Sequence, residues 1–117
     1  MTANKAIERA NSVSPDAYSE ENKLQWISEL DGTVRRLVYK EKEGEPYRFP
    51  EDMDKELLIP APFDTIYEIY IMSMVDFHNQ EWGKYNNTAA MFHSLFDDFK
   101  KAYIRENMPK SVGNIKI

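Results

Sequence analysis

A chain of 117 residues, 42% hydrophobic and 30% charged, with six Phe, seven Tyr and two Trp, holds enough apolar bulk for one compact domain and too little length for two, which excludes wholesale disorder. With no cysteine it can form neither a disulfide nor a thiolate metal site, and it offers no thiol nucleophile; intracellular assembly fits best. Fifteen Lys and Arg stand against twenty Asp and Glu, and the net charge of -5 argues against a surface that tracks phosphates, so no sequence-specific nucleic-acid binding is expected.

The stretch from Met1 to Arg9 carries charge where a signal peptide needs an apolar run, so no secretion signal is expected. Residues 3 to 11 leave a short first helix open, and residues 1–13 are candidates for a flexible end. Ser14-Pro15-Asp16-Ala17 reads as a helix start: Ser caps free amides, Pro suits the first helical position and Asp complements the positive end of the dipole. From there Leu24, Ile27, Leu30, Val34, Leu37 and Val38 recur at three- and four-residue steps as one helical stripe, with Trp26 beside it. Gly32 weakens the middle of that helix by about 1 kcal/mol relative to Ala.

Between residues 40 and 60 the chain reads as one long loop, broken by Gly44, Pro46 and Pro50. Within it Tyr47 and Phe49 alternate with Pro46, Arg48 and Pro50, a pattern suited to lying extended on a neighbouring surface. Leu57-Leu58-Ile59 is either a short strand or an extended lead-in packed on helices. Pro62 opens a second helix whose apolar residues, Ile66 to Phe77, nearly encircle it. Glu68 and Asp76 interrupt this run, which falls short of the roughly 18 apolar residues of a membrane span, so a soluble chain is expected. A helix so apolar in so small a domain is expected to need cover from neighbouring copies.

Gly83 and Asn86-Asn87-Thr88 are expected to interrupt or restart the pattern. After them Phe92, Leu95, Phe96, Phe99 and Tyr103 mark a helix that runs to about Asn107, and residues 109–117 read as a flexible tail. The whole is expected to be a single all-α domain over 1–117, a small bundle of three to four helices with one long loop.

The chemistry of individual residues points to structure. His93 and Asp97, four apart on one helix, are the sole metal idea, and neither histidine follows the Glu-x-x-His pattern of a di-iron bundle, so no metal is assigned. Asp64 with Glu68, in the first turns of a helix, are stabilised by its dipole without any catalytic role, and Asp97 with Asp98 lie in no recognisable motif. The four glycines are too scattered for a phosphate loop. No catalytic or cofactor-binding residue is assigned and no enzyme activity is expected. Asn86-Asn87-Thr88 matches a glycosylation tripeptide and is read instead as helix-start chemistry. Lys100, Lys101 and Arg105 form a basic patch near a helix end, complementing the dipole and able to meet an acidic partner. Arg48, Tyr47 and Phe49 are candidate docking groups, since Arg and Tyr are favoured interface anchors. On that reading, alanine at Tyr47 or Phe49 impairs partner binding and leaves the melting temperature nearly unchanged.

The run Leu57-Leu58-Ile59-Pro60-Ala61-Pro62-Phe63-Asp64-Thr65-Ile66-Tyr67-Glu68-Ile69-Tyr70, then Glu81 through Tyr85-Asn86-Asn87, Phe92 and Tyr103-Ile104-Arg105, together with Trp26-Ile27-Ser28-Glu29-Leu30-Asp31-Gly32, resembles the small head-tail connector proteins of long-tailed phages and prophages of Gram-positive bacteria. The resemblance covers roughly residues 22 to 110 and rests on spacings of common residues. It implies a structural virion subunit, present in the bacterial cytoplasm during assembly. Such a subunit forms a ring, commonly of twelve copies, beneath the portal and above the tail-side completion proteins, with no cofactor and no catalysis. An acidic lumen would let DNA slide past, whereas a basic one would hold it. The competing reading is a generic dimeric helical interaction module encoded by a prophage.

Overall fold

The structure, a computed structural model, describes residues 1–42 and 44–107. Four α-helices make up most of it: α1 (Ala3–Val13), α2 (Glu20–Thr33), α3 (Ile66–His78) and α4 (Trp82–Glu106). Two short irregular helices accompany them, a π-helical segment at Val34–Val38 and a single 3-10 turn at Phe63–Thr65. Among the described residues no strand forms; Thr2 and Glu56 make an isolated antiparallel bridge. The fold is the all-helical bundle that the apolar periodicity predicts.

The first helix is part of the core and not a loose end. Thr2 caps it, its hydroxyl oxygen accepting from the Lys5 N–H at 3.2 Å, and Ala3, Ala6, Ile7 and Ala10 are buried on one face. Three alanines on that face bring the helix close to α3, where Arg9 Nε meets Glu68 Oε1 at 2.9 Å.

The second helix starts at Glu20, later than Ser14-Pro15 predicts. Asp16 accepts from the Tyr18 N–H at 2.8 Å in a local turn, and its carboxylate also binds Lys23 Nζ at 2.9 Å, so the acid expected in a first helical turn shapes a loop instead. Ser19 is the cap, accepting from the Asn22 N–H, and Glu20 and Glu21 occupy the first turn. Leu24, Ile27, Leu30, Val34 and Val38 are buried as the stripe requires, but Leu37 is 58% exposed. The wider turn of the π segment, in which the Tyr39 N–H reaches the Val34 carbonyl at 2.9 Å, adds a residue per turn and swings Leu37 outward.

The third helix lies at the centre, packed on α1, α2 and α4. Ile66, Tyr67 and Ile71 have no exposed surface and Val75 has 5%. The expectation that this helix needs other copies to cover it is therefore corrected: α1, α2 and α4 of the same chain cover most of it.

The fourth helix runs unbroken through Gly83 and Asn86-Asn87-Thr88, against the predicted interruption. Thr88 sits inside it with its hydroxyl 3.0 Å from Asp76 Oδ2 and 3.1 Å from the Lys84 carbonyl, so a residue that favours caps is held in mid-helix by an acid on α3. Its end at Glu106 agrees with the expected boundary, and the tail read over 109–117 lies outside the described residues.

Candidate functional site

Residues 44–59 are not a free loop but a strap fastened to the bundle at one buried carboxylate. Asp31 on α2 has no exposed surface. Its Oδ2 accepts from the Tyr47 hydroxyl at 2.5 Å and the Leu58 N–H at 3.2 Å, and its Oδ1 accepts from the Tyr67 hydroxyl at 2.6 Å. The Tyr67 oxygen in turn accepts from the Ile59 N–H at 2.8 Å, and Ser28 Oγ accepts from the Tyr47 N–H at 3.0 Å. One acid thus holds both ends of the strap and the first turn of α3, with every bond inside hydrogen-bonding distance. Met53, Leu57 and Ile59 bury the strap's apolar side, and Lys55 Nζ lies 5.2 Å from the centre of the Tyr47 ring.

Burial disfavours the charged form of Asp31 and pushes its pKa above the ordinary 3.8, while the Tyr47 and Tyr67 hydroxyls, the Leu58 amide and the Arg35 charge pull the other way without cancelling it. Burial, and then the same acid, hold the Tyr47 and Tyr67 phenols protonated. Both Asp31 oxygens are occupied by internal donors, an arrangement that braces the fold.

A second buried charge does similar work at the other end of α2. Lys23, 1% exposed, binds Asn11 Oδ1 at 2.6 Å and both oxygens of Asp16 at 2.9 Å, tying α1 and the 14–19 loop to α2.

These contacts divide the predicted docking residues. Tyr47, expected to be an exposed anchor, is buried at the root of the strap, because its hydroxyl is committed to Asp31. Arg48 and Phe49 stand outside: Phe49 is 39% exposed, and Arg48 Nη2 lies 3.7 Å from Glu45 at the exposed bend. The basic residues sit apart from them in sequence, near the end of α4. There Lys100 Nζ lies 5.6 Å from the centre of the Phe96 ring, Lys101 pairs with Asp97 at 3.0 Å, and Arg105 occupies the last turn. Tyr39 joins the two regions, its hydroxyl donating to the Leu58 carbonyl at 2.9 Å while its ring lies 4.8 Å from that of Tyr103. His93 and Asp97 are exposed, and among the described residues no group of three His, Asp or Glu could hold a metal ion.

The fourth helix offers the most surface. Of its 25 residues only Phe99 and Ala102 are buried, while Trp82, Met91 and Ile104 are half-exposed or more. At its start an aromatic cluster continues outward from the core, with Phe77 5.7 Å from Trp82 and 5.5 Å from Tyr85, and His78 stacked on Trp26 at 5.4 Å. A groove of about 480 Å³ between α2 and the strap, lined by Ser28, Gly32, Arg35 and Pro46 among others, is open to solvent.

Among the described residues, fold and surface together define an all-helical body of four α-helices whose long last helix is covered on one side. Comparison with protein families, curated proteins and solved structures finds no match for the chain.

Proposed function

We propose that this chain is a structural assembly subunit, a head-tail connector that forms a ring between a phage portal and the tail-side completion protein and performs no catalysis. The observation that carries this reading is α4: a helix about 37 Å long, at 1.5 Å per residue, with apolar side chains exposed along it and one face packed on its own bundle. Such a helix suits burial against other subunits. The exposed Arg48 and Phe49 at the strap's bend, and Lys100, Lys101 and Arg105 near the end of α4, supply further contact groups for a partner. The buried acid of the fold is consumed by bracing, which is consistent with a scaffold and leaves it no role as a base.

The test is assembly on a portal. Purified chain mixed with purified portal is expected to co-sediment as a ring, commonly of twelve copies in the group it resembles, read as a mass increment by native mass spectrometry. A stable dimer that ignores the portal would overturn the connector reading in favour of a dimeric helical interaction module.

A further inference from the structure

The outer flank of α4 carries a pattern that is complementary to itself. Lys84, Met91 and Asp98 are spaced by seven residues, two helical turns apart, and so stand in one line along the helix. Met91 at the middle of that line is 50% exposed. Beside it lies a shallow, mostly apolar dent of about 440 Å³ lined by Ala90, Met91, Ser94 and Leu95. A basic residue stands one heptad before the centre and an acidic residue one heptad after it.

From this arrangement we infer that two copies of the chain pair through antiparallel α4 helices about a two-fold axis at Met91. In an antiparallel pair centred there, Lys84 of each copy faces Asp98 of the other, and the axis generates this ion pair twice. Each Met91 side chain, long and unbranched, enters the dent of the facing helix, where Ala90 and Ser94 let the backbones approach closely. A parallel arrangement would set Lys84 against Lys84 and Asp98 against Asp98, so the charges select the direction as well as the partner. Within one chain Lys84 Nζ binds the Glu81 carboxylate at 2.8 Å, which holds its ammonium at the N-terminal end of this flank before a second copy arrives.

The contact is narrow, one helix against one helix, and belongs with the small, weak class of interfaces. It does not rest on the ring reading, because a two-fold contact closes on itself whereas a ring uses two different surfaces of each subunit. It describes the free protein before any portal is present.

Sedimentation velocity of the full chain over a range of concentrations reads the outcome, the mass rising from 13.8 kDa toward that of two chains. Lys84→Glu and Asp98→Lys, each placing like charges across both symmetric contacts, are expected to weaken dimerisation about tenfold apiece. The double variant, which swaps the charges and restores opposite signs, is expected to return it to within about threefold of the parent. Because the native chain has no cysteine, Met91→Cys supplies a single thiol at the axis, expected to form a covalent dimer on mild oxidation, whereas Asn86→Cys on the other flank of α4 is not. A chain that stays monomeric throughout, single reversals without effect, a double variant no better than its parents, or equal cross-linking at both positions would each overturn the inference. Portal binding plays no part in these measurements, so failure here and failure of the connector reading are separately visible.

Discussion

Asp31 is the residue on which the strap depends, and its burial gives it a measurable pH signature. The native protein holds a proton on this carboxyl at pH values where the unfolded chain, near 3.8, has released it. Stability from Asp31 is therefore present at the acid end of that window and is lost as pH rises through the native value. Because other carboxylates titrate too, the quantity to follow is the difference in unfolding free energy between the parent and Asp31→Asn. Urea unfolding at several pH values is expected to show that difference shrinking from about pH 4 toward neutrality. Tyr47→Phe keeps the ring, removes the donor and is expected to cost about 1–3 kcal/mol in the same assay. Tyr47→Ala is expected to cost more, about 3–5 kcal/mol by the measure of large aromatic truncations, reversing the expectation of an unchanged melting temperature that an exposed docking role carries. At Phe49, whose ring is part-exposed, alanine is expected to change stability by less than about 1 kcal/mol and to weaken portal attachment.

At the scale of elements, Lys23 and Gly32 mark the strong and the slack points of α2. Lys23→Ala leaves the Asp16 carboxylate, 5% exposed, without its cation and is expected to destabilise by about 3–5 kcal/mol, seen as a lowered urea midpoint. A Cβ at Gly32 would meet nothing within 4 Å, so Gly32→Ala is expected to raise stability by about 0.5–1 kcal/mol, readable as a higher melting temperature. The helices were legible because apolar residues at three- and four-residue steps report which face is covered. The strap was not, since its fastenings to Asp31 join positions 16 and 27 residues apart along the chain. One signal did exist: Asp31 stands four residues after Ile27 and three before Val34, on the apolar stripe itself, where a charge must find internal partners. Ser14-Pro15 misled for the opposite reason, because the nearby Lys23 captured the acid that would have belonged to a first helical turn. The exposure of Leu37 had no sequence marker, as a π turn leaves the residue types of a helix unchanged.

For the whole molecule, the acidic balance bears on passage of nucleic acid. With a net charge of -5, the chain is expected to show no micromolar binding to duplex DNA at moderate salt in a gel-shift assay, and a retarded band there would argue against the acidic, non-adhesive lumen of the proposed ring. The split between a buried Tyr47 and an exposed Arg48 and Phe49 divides one short segment in two: its root holds the fold and its tip is open to solvent. The most apolar helix, α3, is satisfied at home, and the unspent surface belongs to α4.

Order of synthesis makes the single carboxylate a timing device. Asp31 leaves the ribosome before Tyr47, Leu58 and Tyr67, so a nascent chain halted ahead of residue 67 carries an acid that has no full set of donors and a strap with nothing to close upon. Translation must pass the start of α3 before the earlier half of the protein can be sealed.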